Sequence, residues 1–213
     1  MKLTMNKNLV TTILDKYLTE SECDTPQTDS SFLELPMFSI ALALKAKIII
    51  ELGIRNGGTT LPLLLAANIN KGVLHSVDIN PVKFEIPAEL NSNWNPHQQD
   101  TLEFLSCWNF NFIMDLVLID DWHSYDQVKS ELNLIDRHIT SKSIILLHDT
   151  MYGRWEPHYH CDIAVKTGQF ANGGPYRAIA ELDQNYWEFS TIPVNNGLTI
   201  LRKKYSTKYH QFD

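Results

Sequence analysis

The sequence predicts an α/β protein, a doubly wound and mostly parallel sheet, and three observations predict it. Short apolar runs of strand length, at Ile48–Ile50, Val73–Val77, Asp115–Ile119 and Ser143–Leu147, are each followed by an acid or a His-Asp pair. Helical patterns lie between those runs, which is the alternation that βαβ units require. A glycine-rich stretch, KIIIELGIRNGGTT from Lys47 to Thr60, joins the first run to an apolar helix. That is the outline of a buried strand, a tight loop and a helix N-terminus, where backbone N–H groups and close approach suit a nucleotide-like ligand.

The order of elements follows from local signals. Leu9, Val10, Ile13, Leu14 and Leu18 share one face of a helix over Asn6–Leu18. Ser21–Ser31 is polar, contains Pro26 and reads as a loop. Phe32–Leu44 reads as a helix with Pro36 marking an early boundary, so residues 1–45 form a helical cap on a domain spanning 46–213. Thr59 or Thr60 caps the helix Leu61–Ala67, with Pro62 in its first turn, and Asn70-Lys71-Gly72 stops it. Residues 79–96 are loop-like, a short third strand lies near His97–Gln99, and Asp100-Thr101 caps a helix from about Leu102 to Trp108. Ser124 and Gln127 form a capping box for a helix whose Tyr125, Val128, Leu132, Ile135 and Ile139 share a face. Met151–Gly174 is long, polar and aromatic, and reads as a lid over the strand ends. Pro175–Leu182 is a helix, and Tyr186–Ile192 pairs with Leu198–Lys203 about Asn196-Gly197, a pair that favours a type I′ turn.

Composition narrows the function. A chain of 213 residues supports one substantial core, and its net charge of −7 argues against non-specific nucleic-acid binding. Cys23, Cys107 and Cys161 fit neither a disulfide framework nor a Cys-x-x-Cys zinc site. The most apolar stretch, Met37–Ile54, is broken by Lys45, Lys47 and Glu51, so neither a membrane span nor a leader segment is expected and the chain reads as cytoplasmic. A homo-oligomer stays open.

The glycine loop separates its candidate ligands. A dinucleotide site wants G-x-G-x-x-G and a P-loop wants a Lys after its last glycine; this chain has E-x-G-x-x-x-G-x-T. An acid at the strand end, Glu51, suits a cationic ligand and repels a pyrophosphate. Asp78, 21 residues after Gly57, stands where an acid tipping the second strand meets a ribose, although an Asp before Asn-Pro also starts a turn. LVLIDDWHSYDQV places Asp120, Asp121, Trp122 and His123 at the end of the fourth strand, and IILLHDT places His148 and Asp149 at the end of the fifth.

The ordered set ELGIRNGGTT, SVDINP, LVLIDDWHSYDQV and IILLHDT, with a terminal GLTILRK, resembles small class I S-adenosylmethionine (SAM) methyltransferases over roughly residues 45–203. The resemblance is to the group that contains antibiotic-, sugar- and cephalosporin-tailoring enzymes. It implies a Rossmann-like sheet of seven strands with an antiparallel C-terminal strand, SAM as cofactor and O-methylation of a small molecule such as a sugar, phenol or natural product. The candidate cofactor residues are Glu51, Gly53, Arg55, Gly57, Thr59, Asp78, Asp100, Thr101 and Asp120. In the family an acid at the position of Asp100 touches the adenine amino group; helix capping alone would also account for it. Many relatives carry a Gly or Ser and then an Asp where this chain has Asp121 and Trp122; Trp122 would stack on the adenine or a substrate ring, or fill space under the lid.

Methyl transfer to a hydroxyl needs alignment and removal of a proton. Asp120, His148 and Asp149 can hold Mg²⁺, and a His ligand tilts the choice toward Mn²⁺ or a later metal. Without a metal, His148 or His123 is the general base beside Asp120. His158, His160 and Cys161 have no closed zinc-site spacing and read as polar or substrate-reading lid residues. The rival readings are an NAD-type nucleotide-binding protein and a non-catalytic protein that keeps the fold.

Overall fold

A computed structural model of the chain describes residue 11 and residues 33–109, 111–151, 168–194 and 196–205. The helix expected over Asn6–Leu18, the loop Ser21–Ser31, and all of the lid between residues 152 and 167 lie outside the described residues. Among those described, no helix is long and apolar enough to cross a membrane.

Helix α1 (Glu34–Ala43) leads into strand β1 (Ile48–Leu52), followed by α2 (Thr60–Asn70) and β2 (Val73–Asp78). Next come a 3₁₀ turn at Ala88–Asn93, β3 (Trp94–Gln98), α3 (Thr101–Ser106), β4 (Leu116–Ile119) and α4 (Tyr125–Ile135). Then β5 (Ile144–Leu147), α5 (Gly174–Ala180), β6 (Trp187–Ile192) and β7 (Leu198–Lys203) follow among the described residues. The strands form one seven-stranded sheet in the order β3-β2-β1-β4-β5-β7-β6. β1, β2, β3, β4 and β5 pair in parallel, while β7 runs antiparallel to both β5 and β6. The expected antiparallel strand is therefore β7, set between β5 and β6.

Side-chain alternation along the central strands divides the core into two layers. Ile50, Val117, Ile119, Ile145 and Leu147 pack on one face with Phe104, Val128, Leu132, Ile135 and Ile179. Ile49, Leu116, Leu118 and Leu146 pack on the other with Met37, Ala41, Leu63 and Leu64. α2 shows weak periodicity because it is buried nearly all round, between the sheet and α1: Leu63, Leu64, Leu65, Ala66 and Ala67 are each 3 % exposed or less. At the base of the sheet the Asp115 carboxylate accepts the N–H groups of Lys47 (2.7 Å) and Ile48 (3.0 Å), tying the start of β1 to β4.

Several boundaries differ from expectation, each for a local reason. Pro36 lies in the first turn of α1, where the N–H it lacks has no intrahelical partner, so the helix starts at Glu34 and runs through it. β3 begins at Trp94 and includes Pro96, which an edge strand tolerates. α4 ends at Ile135, and Ile139 reaches the same core from beyond a 3₁₀ turn at Asp136–His138. Ile192 pairs with Leu198, so the connection between β6 and β7 is longer than a two-residue turn. Asn196 and Gly197 do adopt positive φ, 68° and 91°.

Candidate active site

The strand order reverses direction between β1 and β4, and the carboxyl ends of the strands around that switch point form a crevice, as open α/β sheets are expected to do. Its volume is about 390 Å³, and its lining includes Gly53, Arg55, Asp78, Asn80, Asp100, Thr101, Asp120, Asp121, Trp122 and Gln127. Gly53, with φ +92°, closes the turn after β1; a Cβ there would stand 2.3 Å from the carbonyl oxygen of Asp120. The glycine lets the ends of β1 and β4 meet, which puts Asp120 beside the loop.

Asp78 holds that loop in shape. Its Oδ2 accepts the N–H groups of Ile54 (2.9 Å) and Arg55 (3.1 Å), and its Oδ1 accepts the N–H of Asn80 at 2.8 Å. Partial burial works to raise the Asp78 pKa, but the N–H groups of Asn80, Arg55 and Ile54 together outweigh it and leave it lowered. The carboxylate is thus ionised at the crevice wall, with loop donors turned toward it.

Glu51 is placed differently from the crevice residues. It has no exposed surface. Its carboxyl accepts the hydroxyls of Thr59 (2.6 Å) and Thr60 (2.9 Å), so these threonines brace the loop from behind. Thr59 stands at the N-cap of α2 but makes no side-chain cap, its hydroxyl being spent on Glu51. Burial pushes the Glu51 carboxyl up to about 7, against the lowering effect of the Ser76, Thr59 and Thr60 hydroxyls. Gly57, at φ +80°, lies under the Phe84 ring, which a Cβ would meet at 2.5 Å. Glu51, Gly57 and Thr59 are not among the residues that line the crevice, whereas Gly53, Arg55, Asp78, Asp100, Thr101 and Asp120 are. Asp100 also caps α3, accepting Leu102 N–H (2.9 Å) and Glu103 N–H (3.1 Å).

At the β4 and β5 ends, Asp120, His123, His148 and Asp149 offer ligand atoms that all lie within 4.8 Å of one another. His148 Nδ1 is 2.9 Å from Asp120 Oδ1. His123 Nε2 is 3.4 Å from Asp120 Oδ1 and 3.3 Å from Asp149 Oδ2. Asp149, the second residue after β5, sits in the left-handed region at φ 55°. Burial favours the neutral form of Asp120, but the close His123 and His148 imidazoles hold its pKa down at about 2. Burial lowers His123, while the Asp120 and Asp149 carboxylates reverse that and raise it. His123 is 5 % exposed, and neither ring nitrogen makes a well-formed hydrogen bond. A buried imidazole without such a bond, facing two carboxylates, is the state of a ligand set that fits a divalent cation. The sequence had assigned His123 to base catalysis alone; its return to the cluster depends on the turn before α4.

Sequence reasoning named Thr101, Asp121 and Gln127 separately but missed Glu131, the buried carboxyl that joins them into one group at the crevice wall. Thr101 Oγ1 lies 3.0 Å from Asp121 Oδ2 and 2.6 Å from Glu131 Oε1. Glu131 is fully buried on α4, and burial, then the neighbouring Asp121 charge, raises its carboxyl well above the ordinary range. The one-turn spacing of Gln127 and Glu131 was legible; their meeting with Thr101 needs α3 packed on α4.

Comparison with known proteins agrees with this geometry. Residues 50–150 match a family model described as a methyltransferase domain. No curated protein matches the sequence. Among solved structures, the SAH-bound methyltransferase PaMTH1 of Podospora anserina is 13 % identical, with a TM-score of 0.62 over 96 % of this chain and 97 % of that one. The O-methyltransferase TomG of Streptomyces achromogenes, involved in tomaymycin synthesis and solved with SAM, is 14 % identical, with a TM-score of 0.60 over 95 % and 99 %. A Bacillus cereus O-methyltransferase in complex with SAH is 10 % identical, with a TM-score of 0.55 over 95 % and 93 %. Residues 50–150, which supply the strand ends of both the crevice and the His-Asp cluster, match the methyltransferase-domain model, and the sheet around them shares its fold with these SAM- and SAH-bound methyltransferases.

Proposed function

We propose that the chain methylates a hydroxyl of a small molecule, taking the methyl from SAM bound in the crevice and using the Asp120–His123–His148–Asp149 cluster to prepare the acceptor oxygen. The observation that carries this reading is adjacency: one residue, Asp120, both lines the crevice and belongs to the cluster. A cofactor on one side of it and an acceptor oxygen on the other would be near enough for in-line transfer. SAM supplies an activated methyl on a sulfonium that leaves as a neutral thioether, so no residue need protonate the leaving group.

The residues divide that work. Asp78 faces the crevice as an ionised acceptor suited to ribose hydroxyls, displacing the Asn80 side chain, which now donates to it at 3.2 Å. Trp122, 45 % exposed, offers an apolar face to a ring. Asp120, His148 and Asp149, joined by His123, would hold a divalent ion, whose chemistry is to lower the pKa of a bound hydroxyl. Two imidazoles among the donors favour Mn²⁺ or a later ion over Mg²⁺. A metal-free version keeps His148 or His123 as base, oriented by Asp120.

A dinucleotide reading is disfavoured by the loop's donors. Ile54 and Arg55 N–H groups point at Asp78, and Gly57 N–H donates to the Ile54 carbonyl, so these donors are turned away from any pyrophosphate. Titration calorimetry with S-adenosylhomocysteine (SAH) and NAD, followed by methyl transfer to a panel of catechols, sugars and hydroxylated natural products, tests the proposal. SAH binding without NAD binding, and transfer to an oxygen, is the expected result. Binding of NAD alone would overturn it.

A further inference from the structure

Gln127 lines the crevice near Thr101 and Asp121, and its amide is held in one orientation. Its Nε2 lies 2.8 Å from Thr101 Oγ1, 3.0 Å from Glu131 Oε1 and 3.4 Å from Asp121 Oδ2. Thr101 has a single hydroxyl proton, and two carboxyl oxygens stand within 3.0 Å of its oxygen, so that proton is engaged there. With that proton so engaged, Thr101 Oγ1 keeps a lone pair for the Gln127 amide at 2.8 Å, and Glu131 Oε1 stands 3.0 Å from the same nitrogen. The nitrogen must therefore face the buried group, and the planar amide turns its oxygen away from it. Asp100 and Asp121 also line the crevice and are acceptors.

We propose that Gln127 Oε1, locked by Thr101, Asp121 and Glu131, accepts the exocyclic amino group of the cofactor's adenine and so selects adenosine over inosine. The proposal rests on the SAM reading above. It makes Gln127 a specificity-determining residue and Glu131 a positioning residue that acts through it. A 6-oxo purine would set its own acceptor against this wall, leaving both oxygens without a donor.

Calorimetry on the full chain with SAH and S-inosylhomocysteine tests this. The wild type should prefer SAH by about tenfold or more, the equivalent of one hydrogen bond. Gln127→Ala should bring the ratio close to unity by weakening SAH rather than by strengthening the analogue. Glu131→Gln keeps a neutral side chain with an acceptor toward Gln127 and should retain the ratio, whereas Glu131→Leu frees the amide and should lose it. If the leucine variant does not fold, Gln127→Ala with Glu131→Gln decides the matter. Failure of the wild type to bind SAH would sink the methyltransferase reading itself. A wild type that binds SAH but does not discriminate, a Gln127→Ala that keeps the full ratio, or a loss of ratio in Glu131→Gln overturns the Gln127 proposal alone.

Discussion

Glu51 is buried behind the glycine loop rather than standing in the crevice lining. It ends β1 beside the glycine loop, yet it is buried against the hydroxyls of Thr59, Thr60 and Ser76. Its carboxyl rises from 4.5 to about 7 on folding because burial outweighs those hydroxyls. The native state therefore holds a proton between those values that the unfolded chain releases. The stability contributed by that proton is fully present below 4.5 and is lost as pH rises through 7, at about 1.4 kcal/mol per pK unit. Urea unfolding of the wild type and Glu51→Gln at pH 5 and pH 8 measures it: the wild type should lose stability relative to the variant on going to pH 8. A difference independent of pH would show that Glu51 stays ionised in the fold. The sequence told of an acid at a strand end; which way its carboxyl turns depends on threonines eight and nine residues on, which are brought back only when α2 packs.

At the scale of elements, what was legible was whatever parallel order dictates. Four apolar runs followed by an acid or a His-Asp pair had to place Asp120 and His148-Asp149 at one edge once β4 and β5 paired, and their register, Ile119 opposite Leu147, does so. The joining of Thr101 to Glu131 at the crevice wall was not legible, because they belong to helices that touch only after both dock on the sheet. The start of β3 was hidden by Pro96, which argues against a strand unless the strand is known to be an edge. Asp100 joins two roles at one helix end, and substitution separates them. Asp100→Ala removes the cap of α3 and should destabilise the chain by about 1 kcal/mol, while Asp100→Asn keeps the cap. An asparagine variant of native stability but weakened SAH binding would mark a ligand role for the carboxylate; unchanged binding would leave Asp100 a cap alone. Gly53→Ala is expected to be harsher, since it adds a positive-φ penalty of about 1–3 kcal/mol to a clash with the Asp120 carbonyl. Thermal unfolding and SAH titration should both show the loss; an alanine variant that binds SAH normally would mean that the β1 and β4 ends need not meet this closely.

For the whole molecule, the seven-stranded sheet brings the crevice and the His-Asp cluster together at one residue, Asp120. Ligands that bind the folded chain and not the unfolded one stabilise it by mass action, about 2.7 kcal/mol at a hundredfold excess over Kd. SAH in the crevice and a cation in the cluster should each raise the melting temperature, and the two should be coupled because Asp120 belongs to both. The donor set of two imidazoles and two carboxylates decides which cation matters. Magnesium prefers oxygen and water, whereas imidazole suits manganese, iron and zinc progressively better. After treatment with EDTA and gel filtration, the chain should melt lower; Mn²⁺ should restore it at concentrations where Mg²⁺ does not, and His123→Ala should abolish the restoration while leaving the SAH-induced rise in place. If Mn²⁺ leaves both the melting temperature and methyl transfer unchanged, the four side chains act as a hydrogen-bonded base cluster rather than a metal centre. His148 or His123 would then take the acceptor's proton directly, with Asp120 fixing the imidazole.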